Sequence, residues 1–302
     1  MNEIVFNDVL LEETISFVDD AYGIEQLDIE ESQVVESLFF PGCSFLNSSI
    51  ELIEEVFQTL MSDHQVDGIT LICCEKPLDF KRDMQEVKEA FSKRFRASLL
   101  CHGVKRIITA CPNCFHELSK LVSQDAETEK IEIIDLPRVL TDCNHIVPAS
   151  VAENLSPIAV HDACPDRKSG HYAESVRGLF PADLITELEH NKSRSLCCGA
   201  LARAAGNEER AAKDADLIYS EAKEAEAQAI VVSCMSCSRL LAKAKSGTKG
   251  DTKNDMKNEA GKDTPIYHYL ELVFGKRIDW RATPDHLIVR FRYEGLFDQV
   301  KS

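Results

Sequence analysis

Ile107-Ile108-Thr109-Ala110-Cys111-Pro112-Asn113-Cys114 has a counterpart in Ile230-Val231-Val232-Ser233-Cys234-Met235-Ser236-Cys237. In each stretch an apolar, β-branched run leads into C-x2-C, and a helical pattern follows. Such a run fits a short strand buried on both faces. A buried strand that turns straight into a helix is the unit of a parallel sheet with crossover connections.

Upstream of each C-x2-C lie three more cysteines in the same arrangement. Cys43, the adjacent pair Cys73-Cys74, and Cys111 with Cys114 form C-x29-CC-x36-C-x2-C. Cys164, Cys197-Cys198, and Cys234 with Cys237 form C-x32-CC-x35-C-x2-C. Equivalent positions are offset by 121, 124, 124, 123 and 123 residues, so the frame is an internal duplication. Cys101 and Cys143 fall outside it and read as buried core residues. Leu38 to Cys43 and Ile158 to Cys164 also match, each an apolar run ending at a cysteine.

β-rich runs at 37–42, 69–73, 105–110 and 131–135 alternate with helical patterns near 46–62, 81–102 and 114–123. The second half repeats this with strands near 157–162, 183–187 and 229–233 and a long helix at 201–227. The expected fold is α/β: two tandem, pseudo-two-fold related domains, 37–150 and 151–302, each a small parallel sheet with crossover helices. All three cysteine elements of each half are expected to follow a strand and meet at the carboxyl rim of its sheet, where open α/β folds place their sites. Residues 246–264 are Gly-, Lys-, Asp- and Asn-rich and read as a disordered insertion. Residues 266–273 read as a helix ended by Gly275, and the tail with Trp280 reads as a cap on the second half.

The chain has 302 residues and a net charge of −17, which argues against a nucleic-acid partner. Residues 1–75 hold seventeen Asp and Glu and no Lys or Arg; Lys76 is the first basic residue. Within the acidic arm, 1–36, Ile4, Val5, Phe6, Val9, Leu10, Leu11, Ile15, Phe17 and Val18 have a helix-like spacing. That suggests an amphipathic acidic helix that docks, on this chain or on a basic partner. No apolar run reaches the length of a membrane span, and no secretory leader is evident, so the expected location is cytoplasmic, with any membrane association through a partner.

A reducing compartment disfavours disulfides, and adjacent cysteines would close a strained ring. A lone zinc takes four ligands, which leaves a fifth cysteine surplus in each frame. An iron–sulfur cluster accommodates all five. The adjacent pairs then belong on a turn past a strand, because neighbours within a strand point to opposite faces. A C-x2-C at a helix start adds backbone N–H groups that favour thiolate, and Pro112 suits such a start.

The duplicated frame resembles the CCG, or cysteine-rich, domain family, which includes the B subunit of heterodisulfide reductases and parts of glycerol-3-phosphate, lactate and glycolate oxidoreductase systems. Phe40-Pro41-Gly42-Cys43-Ser44, Ala110-Cys111-Pro112-Asn113-Cys114 and Leu196-Cys197-Cys198-Gly199-Ala200 carry the likeness, which extends over about 37–275. It implies a non-cubane [4Fe-4S] cluster on Cys43, Cys73, Cys74, Cys111 and Cys114, and a second on Cys164, Cys197, Cys198, Cys234 and Cys237. It also implies an oxidoreductase subunit that transfers electrons and splits a disulfide substrate. Pro77 and Gly199 stand where the family places residues beside the cluster. Glu75 replaces the family's glycine after the first pair. Since some members hold zinc in one frame, the first frame is the candidate for it.

The chain has no ferredoxin run, no G-x-G-x-x-G and no P-loop. Electrons are therefore expected to come from or go to a flavin- or ferredoxin-type redox subunit. His161 is a candidate for orienting ligands or moving a proton, and Arg167 and Lys168 for holding an anionic thiol or disulfide substrate. The competing expectation is a zinc-stapled assembly or scaffold subunit without redox chemistry.

Overall fold

The computed structural model describes residues 3–18, 21–26, 34–76, 84–246 and 264–280. Pro77, most of the 246–264 insertion and the tail beyond Trp280 lie outside the described residues. The chain divides into two compact units between Val139 and Leu140.

The first unit runs β1 (Glu3–Asp8), β2 (Glu13–Val18), β3 (Ala21–Gln26), β4 (Ser37–Phe40), α1 (Cys43–Leu46), α2 (Ile50–Ser62), β5 (Gly68–Ile69), α3 (Gln85–Cys101), β6 (Arg106–Thr109), α4 (Pro112–Val122) and β7 (Glu132–Asp135), and α5 (Leu136–Asp142) crosses the division. Its sheet has the order β3-β2-β1-β5-β4-β6-β7. β5, β4, β6 and β7 are parallel, and β1 joins β5 in parallel, while β1, β2 and β3 form an antiparallel meander. The second unit runs α6 (Ala149–Asn154), β8 (Ile158–His161), α7 (His171–Arg177), β9 (Ile185–Thr186), α8 (Ala200–Ala204), α9 (Glu208–Glu224), β10 (Ala229–Val232), α10 (Met235–Ser246), β11 (Ile266–His268) and α11 (Tyr269–Val273). Its four strands are all parallel, in the order β11-β10-β8-β9. The order β9-β8-β10-β11 reproduces β5-β4-β6-β7, so the duplication in the sequence is a duplication of topology.

The central strands carry the cores. β4, β8 and β10 are buried at every residue, as expected of parallel strands covered by helices on both faces. The helices follow their apolar stripes. α2 buries Leu52, Ile53, Val56 and Leu60, and its N-terminus is fixed by Ser49, whose hydroxyl accepts the Leu52 N–H at 3.2 Å. α9 buries Ala215, Ile218, Tyr219 and Ala222 against the second core. Each fully buried Leu or Ile contributes about 1.5–3 kcal/mol relative to exposure.

Several expectations are corrected. The acidic arm is not a helix. Along β1 the burial alternates, with Ile4, Phe6 and Asp8 inside and Glu3, Val5 and Asn7 outside. Period two wins because the run pairs at once with Glu13–Val18 and is long enough to finish a sheet face. The helix expected at 201–227 is two helices, because Gly206 at φ +78° ends α8 and the Asn207 side chain caps α9 by accepting the Arg210 N–H. Residues 266–268 are a strand, paired in register with β10, and only 269–273 are helical. The strand expected at 69–73 ends at Ile69. The pair Cys197-Cys198 does not follow a strand but leads from a loop into α8, well past β9. Cys101 is exposed, because Phe91, Phe95 and Leu99 occupy the inward face of α3, and Cys143, just past α5, is only half-buried. Among the described residues no helix is long and apolar enough to cross a membrane.

Candidate metal centre

In each unit the polypeptide delivers its cysteines from three places. In the first, Cys43 opens α1 after Gly42, whose φ of +82° turns the chain off β4. A Cβ on Gly42 would lie 2.8 Å from the Cys114 sulfur, so the close approach of this turn to the C-x2-C requires glycine. Cys111 is the N-cap of α4, with Pro112 in the first turn, and Cys114 follows one turn on. Cys73 and Cys74 lie on the irregular stretch after β5.

The sulfurs form a chain of neighbours. Cys73 Sγ is 3.5 Å from Cys43 Sγ, and Cys114 Sγ is 3.3 Å from Cys74 Sγ. Cys73 also meets Cys74, and Cys114 meets Cys111. The sequence of contacts is 43–73–74–114–111. The second unit repeats it link for link: Cys164 with Cys197, Cys197 with Cys198, Cys198 with Cys237, and Cys237 with Cys234. These separations are contacts between thiols, far longer than the bond of a disulfide, and none of the twelve cysteines is in one. The structure thus brings together all ten cysteines expected from the sequence, as two quintets.

Packed so closely, the thiols cannot all ionise unaided. Hydrogen bonds from Cys114 and Cys73 hold the Cys74 thiol well below its ordinary range. Its neighbours move the other way: Cys73 is raised by its contacts to Cys43 and Cys74 together with burial, and Cys114 by Cys111 and Cys74. In the second unit Cys197 is the lowered member, through Cys164 and Cys198, while Cys164 and Cys237 are raised and Cys198 is pushed up to about 12. Backbone N–H groups support the ionised member; Gly199 N–H reaches Cys197 Sγ at 3.4 Å. Full ionisation of either quintet therefore calls for added positive charge, which is the requirement a metal centre meets. The quintets are also drawn out in space. Among the described residues, the group whose ligand atoms all lie within 4.8 Å of one another is Glu189, His190 and Glu221, not a set of thiols. There His190 Nδ1 is 2.5 Å from Glu221 Oε1, a histidine–carboxylate pair.

The residue after each adjacent pair has left-handed backbone, Glu75 at φ +58° and Gly199 at φ +92°. This bend turns the following backbone N–H groups toward sulfur. At Gly199 a Cβ would also meet the Ala211 carbonyl oxygen at 2.7 Å and its Cα at 2.8 Å, so α9 packs where a side chain would stand. Glu75 is buried, and desolvation, followed by the nearby Cys74 charge, raises its carboxyl to about 8 against the pull of Lys88. Lys88 in turn pairs with the buried Glu117, as does Lys76 at 3.2 Å.

Different groups brace the two quintets. Asp8, fully buried in β1, accepts the Leu10 and Leu11 N–H groups, the Thr70 hydroxyl at 2.8 Å and the Leu71 N–H at 2.6 Å. Burial raises its carboxyl and these four donors oppose the shift. It thereby fixes the backbone two residues before Cys73. In the second unit Asp162 receives a bidentate pair from Arg177, at 2.7 and 3.0 Å, and the Lys192 N–H at 2.7 Å. Arg177 also grips Glu187, at 2.8 and 2.7 Å. Arg167 Nε donates to the Ser195 carbonyl at 2.6 Å, just before Cys197, and Lys168 is exposed.

His161 closes β8 and is 1% exposed, and neither ring nitrogen has a hydrogen-bond partner. His268, at the end of β11, is fully buried; its Nδ1 accepts the Leu270 N–H at 3.3 Å. Its Nε2 has no partner in place, although the Ser233 carbonyl is near enough to act on the ring. Burial lowers His161 and takes His268 down to about 4. Sequence reasoning missed Asp8, Arg177 and His268. The first two act across long separations, and His268 was hidden in a stretch read as helix.

A family match falls on the two quintets. Residues 37–119 and 158–242, together more than half the chain, match the CCG cysteine-rich domain family. No curated protein matches the chain. Among solved structures, glutamate racemase isoform RacE1 from Bacillus anthracis is 16% identical, with 87% of this chain and 83% of that chain covered and a TM-score of 0.39. The aspartate racemase of Picrophilus torridus is 11% identical, with 82% and 98% covered and a TM-score of 0.36. Glutamate racemase from Thermus thermophilus, in complex with β-chloro-D-alanine, is 14% identical, with 88% and 84% covered and a TM-score of 0.33. Likenesses this distant say nothing about the chemistry of this chain. The two matched segments coincide with the two thiol quintets, and the chain belongs to the CCG cysteine-rich domain family.

Proposed function

We propose that this chain is the iron–sulfur subunit of an oxidoreductase complex, with one non-cubane [4Fe-4S] centre on Cys43, Cys73, Cys74, Cys111 and Cys114 and another on Cys164, Cys197, Cys198, Cys234 and Cys237. The observation that carries the reading is the repeated chain of four contacts linking five sulfurs, extended rather than closed on one point, which suits a core of several metal atoms better than a single ion. When bound, such centres supply one-electron donors and acceptors.

The chain's own groups then have defined tasks. Ten thiolates hold the centres, and backbone N–H groups past Cys74 and Cys198 stabilise them. Asp8 and the Arg177–Asp162 pair hold the ligand loops still. The second quintet is the place for a thiol or disulfide substrate, with Lys168 beside it as a candidate anion contact. The electron partner is a flavin- or ferredoxin-type subunit, and the location is cytoplasmic.

Protein purified without oxygen should contain about eight iron and eight labile sulfide per chain if both quintets are loaded. Cys198→Ser should remove the share of the second quintet and leave the first. One zinc and no sulfide per quintet would replace this reading with a zinc-stapled scaffold. Glu75 makes the first quintet the one where zinc would be found if only one carries it.

A further inference from the structure

β10 lies between β8 and β11, and Val232 at its end is level with His161 on one side and with His268 on the other. Residues level with one another on parallel strands present their side chains to the same face. Two buried imidazoles therefore flank the strand end that leads, two residues later, to Cys234. The Cys234 charge acts on both rings, and that of Cys197 acts on His161. Asp162 and Glu221 are the other charged groups that act on His161. An imidazole, neutral or charged, carries at least one N–H. In His268 that proton is on Nε2, because Nδ1 accepts from Leu270. The His161 ring N–H is thus buried beside the thiols without a hydrogen-bond acceptor in place, a condition native proteins seldom leave unmet, and the His268 Nε2–H has only the Ser233 carbonyl near it.

The equivalent positions of the first unit carry no imidazole. Phe40 precedes Cys43 by three residues as His161 precedes Cys164, and Asp135 ends β7 as His268 ends β11. Phenylalanine cannot donate, and Asp135 Oδ1 is taken up in accepting the Arg138 N–H at 3.0 Å.

We infer that His161 and His268 donate ring N–H hydrogen bonds to sulfur of the centre held by the second quintet, one from each side of Cys234, and so make that centre easier to reduce than the one held by the first. The inference rests on the iron–sulfur reading above. Its physical basis is that reduction adds negative charge to a cluster, and donors aimed at its sulfurs stabilise that charge.

The test is a potentiometric titration, followed by electron paramagnetic resonance, of the full chain loaded anaerobically, in a Cys74→Ser background that leaves only the second centre. His161→Phe installs the residue the first unit already uses, and His268→Asn keeps a side chain able to cap α11 while withdrawing the Nε2 donor. Each should lower the reduction equilibrium constant of the second centre about tenfold, roughly 59 mV for one electron. Iron content should be unchanged, and His161→Gln, which retains an N–H, should recover most of the loss. Metal-free His161→Phe should unfold at no lower denaturant concentration than the parent, since it removes a buried donor without a partner.

A shift below twofold in both variants overturns the inference while leaving the iron–sulfur reading intact. Loss of iron from His161→Phe whose metal-free fold is sound makes the histidine a ligand instead, and also overturns it. Absence of iron and sulfide from the parent chain overturns both readings, so the two failures are told apart.

Discussion

The two quintets share one order of sulfur contacts but are held by unlike means. In the first unit the loop before Cys73 is tied down by Asp8, a residue of the added meander, and the bend after Cys74 is made by a glutamate in left-handed backbone. In the second, the segment around the adjacent pair is tied down by a buried ion pair and by an arginine on the Ser195 carbonyl, and the bend is made by a glycine pressed against α9. The cysteine spacing survives duplication nearly unchanged, as the proposed metal centres would require. The bracing has many equivalent solutions, and the two halves have taken different ones.

That contrast can be broken or sharpened by substitution. Arg177→Met should cost the most, about 3–5 kcal/mol, because it leaves Asp162 buried without its cation. Denaturant unfolding and iron retention should report the damage in the second unit only. An equal loss from the first quintet would contradict separate bracing. Gly199→Ala should come next, at roughly 2–4 kcal/mol, combining the strain of left-handed backbone with overpacking against Ala211. Its readout is iron content and unfolding midpoint.

Asp8→Ala should cost about 1–3 kcal/mol in all, chiefly from the buried Leu71 N–H left unpaired. This should appear as weaker iron retention by the first quintet with the second unaffected. Glu75→Gly should have the smallest effect, a gain of about 1 kcal/mol as backbone strain is relieved. It carries a pH signature in metal-free protein. A carboxyl raised from 4.5 to about 8 in the fold adds stability that is fully present below pH 4.5 and lost as pH rises to about 8. Glu75→Gly should flatten that slope, measured as unfolding midpoints across this window.

Much of this was legible before any coordinates. Cysteine spacing announced both quintets, since the sulfur contacts of each unit run through the five members of one frame. Four-residue apolar runs such as Ile158–His161 and Ala229–Val232 announced the parallel core, because strands covered on both faces need no alternation. The N-terminal meander was misread because Val5, Val9, Leu10 and Leu11 blur the alternation of Ile4 with Phe6 and of Ile15 with Phe17. The ties of Asp8 to Leu71 and Arg177 to Asp162 depend on tertiary proximity, for which no local pattern exists. His268 could have been found by extending the duplication past the last cysteine. The extension is obscured because Asp135 lies 21 residues after Cys114, whereas His268 lies 31 after Cys237.

One asymmetry of the sheets bears on solubility. In the first unit β5 is two residues long and the meander covers its outer side through the pairing of Asp8 with Ile69. Its counterpart β9 is also two residues long, and in the second sheet it is the last strand. A rim so short offers a neighbouring molecule almost no ladder to extend, and stubby edges of this kind are a common guard against self-association into fibrils. The second half thus ends its sheet in a two-residue stub, whereas the first carries three further strands past the equivalent position and ends at β3.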